Sequence, residues 1–79
     1  MSQTADLVEY VARRLVDRPD EVSVDEAEED GALVIRLHVA ADDLGRVIGR
    51  GGRIARALRT LVRAGGAHGD RRVLLEIVE

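Results

Sequence analysis

Three glycines in four positions, Gly49, Gly51 and Gly52, break the chain between two segments of helical apolar spacing. Without a Cβ, glycine enters backbone regions that other residues avoid and lets a ligand approach the main chain closely. One continuous helix through this stretch is therefore excluded, and two helices joined by a tight loop are expected. A helix starting just beyond Gly52 presents unpaired N–H groups and the positive end of its dipole. Between Leu44 and Arg63 the sequence places Arg at 46, 50, 53, 56, 59 and 63, with no Asp or Glu. Such a loop is suited to hold a phosphate.

The basic stretch is local. The chain carries a net charge of −3, but residues 1–43 hold twelve acids against four Arg, and residues 44–79 hold eight Arg against three acids. An acidic whole argues against indiscriminate nucleic-acid binding, while the segregation leaves a directed basic face. Every basic residue is Arg, whose planar guanidinium recognises phosphate bidentately.

At 79 residues the chain is expected to form one small domain over positions 1–79, burying roughly 60% of its unfolded surface. Stability is then on the order of 4–12 kcal/mol. There is no Cys, so neither a disulfide framework nor a thiolate metal site supports the core. With only His38 and His68 present, no metal site is expected. No apolar run resembles a signal peptide or approaches the ~20 residues of a membrane span, so a cytoplasmic location is expected.

Thr4 is a candidate helix cap, followed by Asp6 in the first turn. Leu7, Val8, Val11, Ala12, Leu15 and Val16 recur at helical spacing and predict a helix over 4–17, ended by Pro19. Tyr10, the only aromatic residue, falls on its polar side, as an exposed surface residue. Val22 and Val24 alternate with polar neighbours as a strand, and the acidic run 25–30 before Gly31 reads as a solvated hairpin tip. Residues 32–40 form the clearest strand, with Leu33, Ile35, Leu37 and Val39 on one face and Val34, Arg36 and His38 on the other. His38 reads as a solvent-facing residue, with contact to a base as the alternative.

Asp42 or Asp43 can cap a short helix bearing Leu44, Val47 and Ile48, which stops at Gly49. The helix after Gly52 runs through Ala64 and ends at Gly65 and Gly66. Its Ile54, Ala55, Ala57, Leu58, Leu61 and Val62 fill one arc, and Arg53, Arg56, Arg59 and Arg63 fill the opposite one. A solvated face usually mixes charge signs; this one does not. Residues 64–70 read as a flexible loop, and Val73, Leu75 and Ile77 as a final strand. The order is α-β-β-α-α-β.

In this setting Val47-Ile48-Gly49-Arg50-Gly51-Gly52 resembles the signature of the KH RNA-binding domain, whose G-x-x-G loop sits between two helices. The element order resembles the type II, prokaryotic version: an α+β fold with a three-stranded sheet packed on helices on one face. The similarity is closest to the small bacterial single-KH proteins of the KhpA type. It extends to Leu7-Val8-Glu9-Tyr10-Val11 in the first helix and to Pro19-Asp20-Glu21-Val22 before the first strand. The position three places after the second motif glycine, often a larger aliphatic residue in KH domains, is Ala55 here. Gly51 stands where a bulkier or charged residue is common.

The resemblance implies binding of about four single-stranded nucleotides. Their backbone would be clamped by the loop and their bases laid in an apolar groove between the motif helices and the second strand. Loop amides, Arg50 and Arg53 would meet the phosphates, with Arg46 and Arg56 extending the field. The expected RNA-binding set is Arg46, Ile48, Gly49, Arg50, Gly51, Gly52, Arg53 and Arg56. The resemblance also implies a homodimer, pairing with a KhpB (Jag or EloR)-type protein, and a post-transcriptional or RNA-chaperone role connected with cell elongation and division. No cofactor is expected. Stacking on aromatic side chains is worth ~1–3 kcal/mol per base in other binders. Without Phe or Trp, a monomer should bind weakly and gain from dimerisation.

Two other binding modes and an enzyme compete with this reading. As a protein-interaction module, the chain would present its Arg face to an acidic partner. A DNA-binding helix-turn-helix would use residues 53–63 as recognition helix, but its turn would not hold three glycines and the strands would be unexplained. Catalysis is disfavoured: no Cys nucleophile exists, Lys is absent for a phosphate-binding P-loop, and Ile54 breaks G-x-G-x-x-G.

Overall fold

The computed structural model describes residues 2–65 and 72–78. Its elements are α1 (Gln3–Leu15), β1 (Ser23–Glu29), β2 (Ala32–His38), α2 (Leu44–Ile48), α3 (Arg53–Gly65) and β3 (Val73–Val78), in the α-β-β-α-α-β order expected. The fold is α+β, with a mixed three-stranded sheet ordered β1-β2-β3. β1 runs antiparallel to β2, and β3 runs parallel to it. Parallel pairing needs a crossover, and α2 and α3 supply it.

Helix α1 starts earlier than its spacing suggests. The Ser2 hydroxyl, not Thr4, caps it by accepting from the Ala5 amide at 3.1 Å, while the Ser2 N–H donates to Glu26 Oε1 at 2.6 Å. Ala5, Val8 and Ala12 face the core. The helix stops at Leu15 rather than 17, because Val16 is extended and the next two amides turn to Asp43. Tyr10 is exposed, with the Arg14 guanidinium 5.7 Å above its ring.

The acidic run is strand rather than tip. β1 extends through Glu29, and the hairpin turns on Asp30 and Gly31 alone, both at positive φ (52° and 79°). That two-residue geometry matches the right-handed twist of paired strands. The run tolerates pairing because alternate side chains point to the open face of the sheet. There Arg36, in register with Asp25 and Glu76, lies 2.9 Å from Glu29, 3.6 Å from Glu76 and 3.9 Å from Asp25. His38 joins Asp25 at 2.8 Å on this same face. Val34 points the same way yet is buried, so β2 is covered on both sides there. The opposite face carries Val24, Ile35, Leu37, Val73 and Leu75 into the core with Val8, Val47, Leu58 and Val62.

Helix α3 packs against α1, α2 and β3. Its buried face is narrower than its apolar arc: Ala55, Leu58 and Val62 are buried and Ile54 partly so, whereas Ala57 and Leu61 are exposed. No helix among the described residues is long and apolar enough to cross a membrane. Residues 66–70 of the expected loop, His68 included, lie outside the described residues.

Candidate nucleic-acid interface

A helix as short as α2, five residues long, is not stable alone. Its position is set by neighbours, chiefly through Val47, which is fully buried. The Gly49 N–H closes α2 on the Gly45 carbonyl at 2.9 Å, and the Gly52 N–H returns to the Gly49 carbonyl at 3.1 Å. The Arg53 N–H then donates to the Arg50 carbonyl as α3 begins. The amides of Arg50 and Gly51 take no part in these closures.

Two glycines matter for different reasons. At Gly49 the backbone lies at φ 77°, ψ 170°, and a Cβ would stand 2.7 Å from Ile54 Cγ1. At Gly51 φ is 65° and ψ 17°, and a Cβ would meet nothing within 4 Å. The first glycine is required by packing inside the protein. The second keeps the outer side of the loop bare.

The described arginines differ in their partners, Arg14 lying over the Tyr10 ring rather than beside a carboxylate. Arg13, Arg18, Arg36 and Arg46 each lie within 4.0 Å of a carboxylate: Arg13 with Glu9, Arg18 with Glu21 and Asp42, Arg36 with its three partners, and Arg46 with Asp17 and Asp43. Among the described residues no carboxylate pairs with Arg50, Arg53, Arg56, Arg59 or Arg63, and all five are exposed. Arg56 reaches back to the Gly51 carbonyl at 3.5 Å, the outer limit of a hydrogen bond. Like charges side by side repel one another, and an anion entering there relieves the repulsion.

Beside this strip runs an open groove of about 480 Å³. Gly52, Arg56, Arg59 and Arg63 form one wall; Val73, Leu74 and Leu75 form the other. In this groove the strand opposite the arginines is β3. β2 is the central strand, with neighbours on both edges, whereas β3 is at the sheet edge beneath α3. One charged wall facing one apolar wall can accommodate a polymer with phosphates along one side and flat apolar rings along the other.

Of the expected residues, Gly52 and Arg56 line the groove. Arg50 and Gly51 are exposed in the loop, Arg53 is exposed at the start of α3, and Ile48 is exposed just before Gly49. Arg46 points elsewhere, with Nη2 3.1 Å from Asp17 Oδ2. His38 lies on the sheet face away from the helices. Arg59 and Arg63 belong to the groove although the expected set omitted them; the single-signed helix face was their signal. Leu74 also borders the groove, although it alternates to the sheet face opposite Val73 and Leu75, in register with Val34, and is 42% exposed. Among the described residues no cluster of three or more His, Asp or Glu is placed to hold a metal ion.

Residues 5–77 match the model of the KhpA/KhpB KH domain. The chain is 51% identical over 79 residues to the RNA-binding protein KhpA of Aquifex aeolicus (strain VF5), covering the whole of both chains. It is 49% identical over 74 residues to the RNA-binding protein KhpA of Treponema pallidum (strain Nichols), covering 94% of this chain and 92% of that one. The corresponding Listeria monocytogenes protein (strain EGD-e) is 45% identical over 74 residues, covering 94% and 97%. No solved structure matches significantly. With the order of elements, the glycine loop between two helices and a family match over nearly its whole length, the chain belongs to the KhpA/KhpB KH-domain family.

Proposed function

We propose that this chain binds single-stranded RNA without chemistry, holding about four nucleotides at the 49–52 loop and along the groove between α3 and β3. The observation that carries this reading is the division among the arginines. Arg50, Arg53, Arg56, Arg59 and Arg63 have no carboxylate partner among the described residues, and the last three of them wall the groove beside β3. The relatives' names point the same way. In this reading the Arg50 and Gly51 amides and the Arg50 and Arg53 guanidinia meet the first phosphates. Arg56, Arg59 and Arg63 continue the track, and bases lie in the groove along β3.

The absence of Phe and Trp limits stacking, so a single copy binds weakly and self-association strengthens binding by linking two sites. A KhpB-type protein is the natural second partner, given a family that groups the two. The cellular role that fits is a cytoplasmic RNA regulator or chaperone.

The test is fluorescence anisotropy of a short labelled single-stranded RNA across a salt series. Wild type is compared with an Arg50→Asp, Gly51→Asp double variant whose fold is checked by circular dichroism. Wild type should show a log–log salt slope of about −2 to −3, at about −0.7 per phosphate met. The folded variant should lose most binding. Equal binding by both, or none by either, would sink the loop as the RNA site and leave an acidic protein partner for the Arg face.

A further inference from the structure

Asp43 is the one buried charged side chain among the described residues, with 2% of its surface exposed. Its place in the sequence, directly before α2, suggests a helix cap, yet its carboxylate makes no capping bond. Both oxygens instead reach across the fold. Oδ1 accepts from the Asp17 amide at 3.1 Å and Oδ2 from the Arg18 amide at 3.0 Å. Those amides belong to the segment leaving α1, where the chain has already turned extended. Arg46 closes the arrangement from α2, with Nη2 3.1 Å from Asp17 Oδ2 and Nε 3.9 Å from Asp43 Oδ1.

The opposite end of α2 is Gly49. Five residues of helix cannot fix their own position, so the loop sits where three tertiary contacts place it. Asp43 holds the start, Val47 is buried in the middle, and Gly49 abuts Ile54 at the end. A buried carboxylate contributes little stability compared with an apolar residue of similar size, because it must be withdrawn from water. It does supply direction: two charge-assisted hydrogen bonds fix both the site and the angle of what they join.

We propose that Asp43 is a positioning residue for the phosphate loop, and that Arg46 belongs to this latch rather than to the RNA contact. The inference rests on the RNA-binding reading for its functional consequence. The position of the loop itself is measurable without RNA.

The experiment uses Asp43→Ala and Asp43→Asn in the full chain, with amide NMR spectra, hydrogen exchange and the same anisotropy titration. In folded Asp43→Ala, the Gly49, Arg50, Gly51 and Gly52 amides should shift and exchange faster, while those of Ile35 and Leu37 stay in place. RNA affinity per folded molecule should fall about tenfold, within the range of couplings exerted by residues that do not touch the ligand. Asp43→Asn, which retains one acceptor oxygen, should recover part of both effects. Adding Arg50→Asp should weaken binding less in the Asp43→Ala background than in wild type.

A folded Asp43→Ala chain whose loop amides are unmoved, or whose RNA affinity equals that of wild type, overturns the proposal. Should Asp43→Ala fail to fold, Arg46→Gln removes only the exposed half of the latch, and an unmoved loop then overturns it equally. If wild type itself does not bind the RNA, the RNA reading fails on its own and the loop amides alone decide the latch.

Discussion

Gly49 and Ile54 are packed so closely that a methyl group on Gly49 would stand 2.7 Å from Ile54 Cγ1 and 3.0 Å from its Cβ. This contact joins the end of α2 to the first turn of α3 and sets how sharply the loop between them turns. Gly49 also occupies φ 77°, ψ 170°, a region open essentially to glycine alone. Gly49→Ala therefore meets backbone strain and a steric clash together, and should cost about 2–5 kcal/mol in urea denaturation. Gly51→Ala meets only the left-handed backbone penalty, about 1–2 kcal/mol, and should remain folded. Equal losses at the two glycines would contradict the packing described.

The groove and the latch assign different roles to arginines that look alike in the sequence. Arg59→Ala and Arg63→Ala should each reduce the magnitude of the salt slope of RNA binding by about 0.7. Arg46→Ala should leave that slope unchanged and lower stability by less than about 1 kcal/mol, since the Arg46–Asp17 pair is exposed. An anisotropy salt series on the three variants separates them.

Ser2 and Thr4 are competing candidates for the start of α1, and only Ser2 holds the Ala5 amide. Ser2→Ala should cost about 1 kcal/mol. That corresponds to a drop of roughly 4–8 °C in Tm for a chain of this size. Thr4→Ala should leave the melting curve nearly unchanged, and scanning calorimetry of the pair decides the matter.

Leu58 and Leu61 share one apolar arc on α3, but Leu58 is 2% exposed and Leu61 38%. Leu58→Ala should cost about 2–5 kcal/mol, a large part of the whole stability. Leu61→Ala should cost no more than about 1 kcal/mol in the free chain. Chemical denaturation at low protein concentration checks both. A large loss at Leu61 would mean that this residue is covered in solution by something other than its own chain.

Periodicity carried most of the fold. The alternation of Leu33, Ile35 and Leu37, and the helical spacing of Val8, Ala12, Leu58 and Val62, expose which faces must leave water, and burial follows that pattern whatever the neighbours are. The glycine loop was legible for a similar reason: the backbone geometry it needs is barred to residues with a Cβ. Helix ends were less legible. Ser2 outcompetes Thr4 and Leu15 ends α1 because of Glu26 and Asp43, partners 24 and 26 residues from the groups they hold. The acidic run reads as a turn because its charges mask the alternation; its strand character shows only in its pairing with β2, with Arg36 reaching Glu29 across the sheet.

By itself, then, the sequence determined the α+β order, the apolar faces, the glycine loop and the one-signed arginine strip, since each depends on local spacing and on the chemistry of single residues. The tertiary structure alone decided that the strand beside the arginines is β3, and that Arg46 and Asp43 turn away from the strip toward the end of α1. Those outcomes depend on strand order and on which elements the parallel crossover brings side by side. No local spacing encodes that, because the free energy deciding it is the burial of two distant faces against each other.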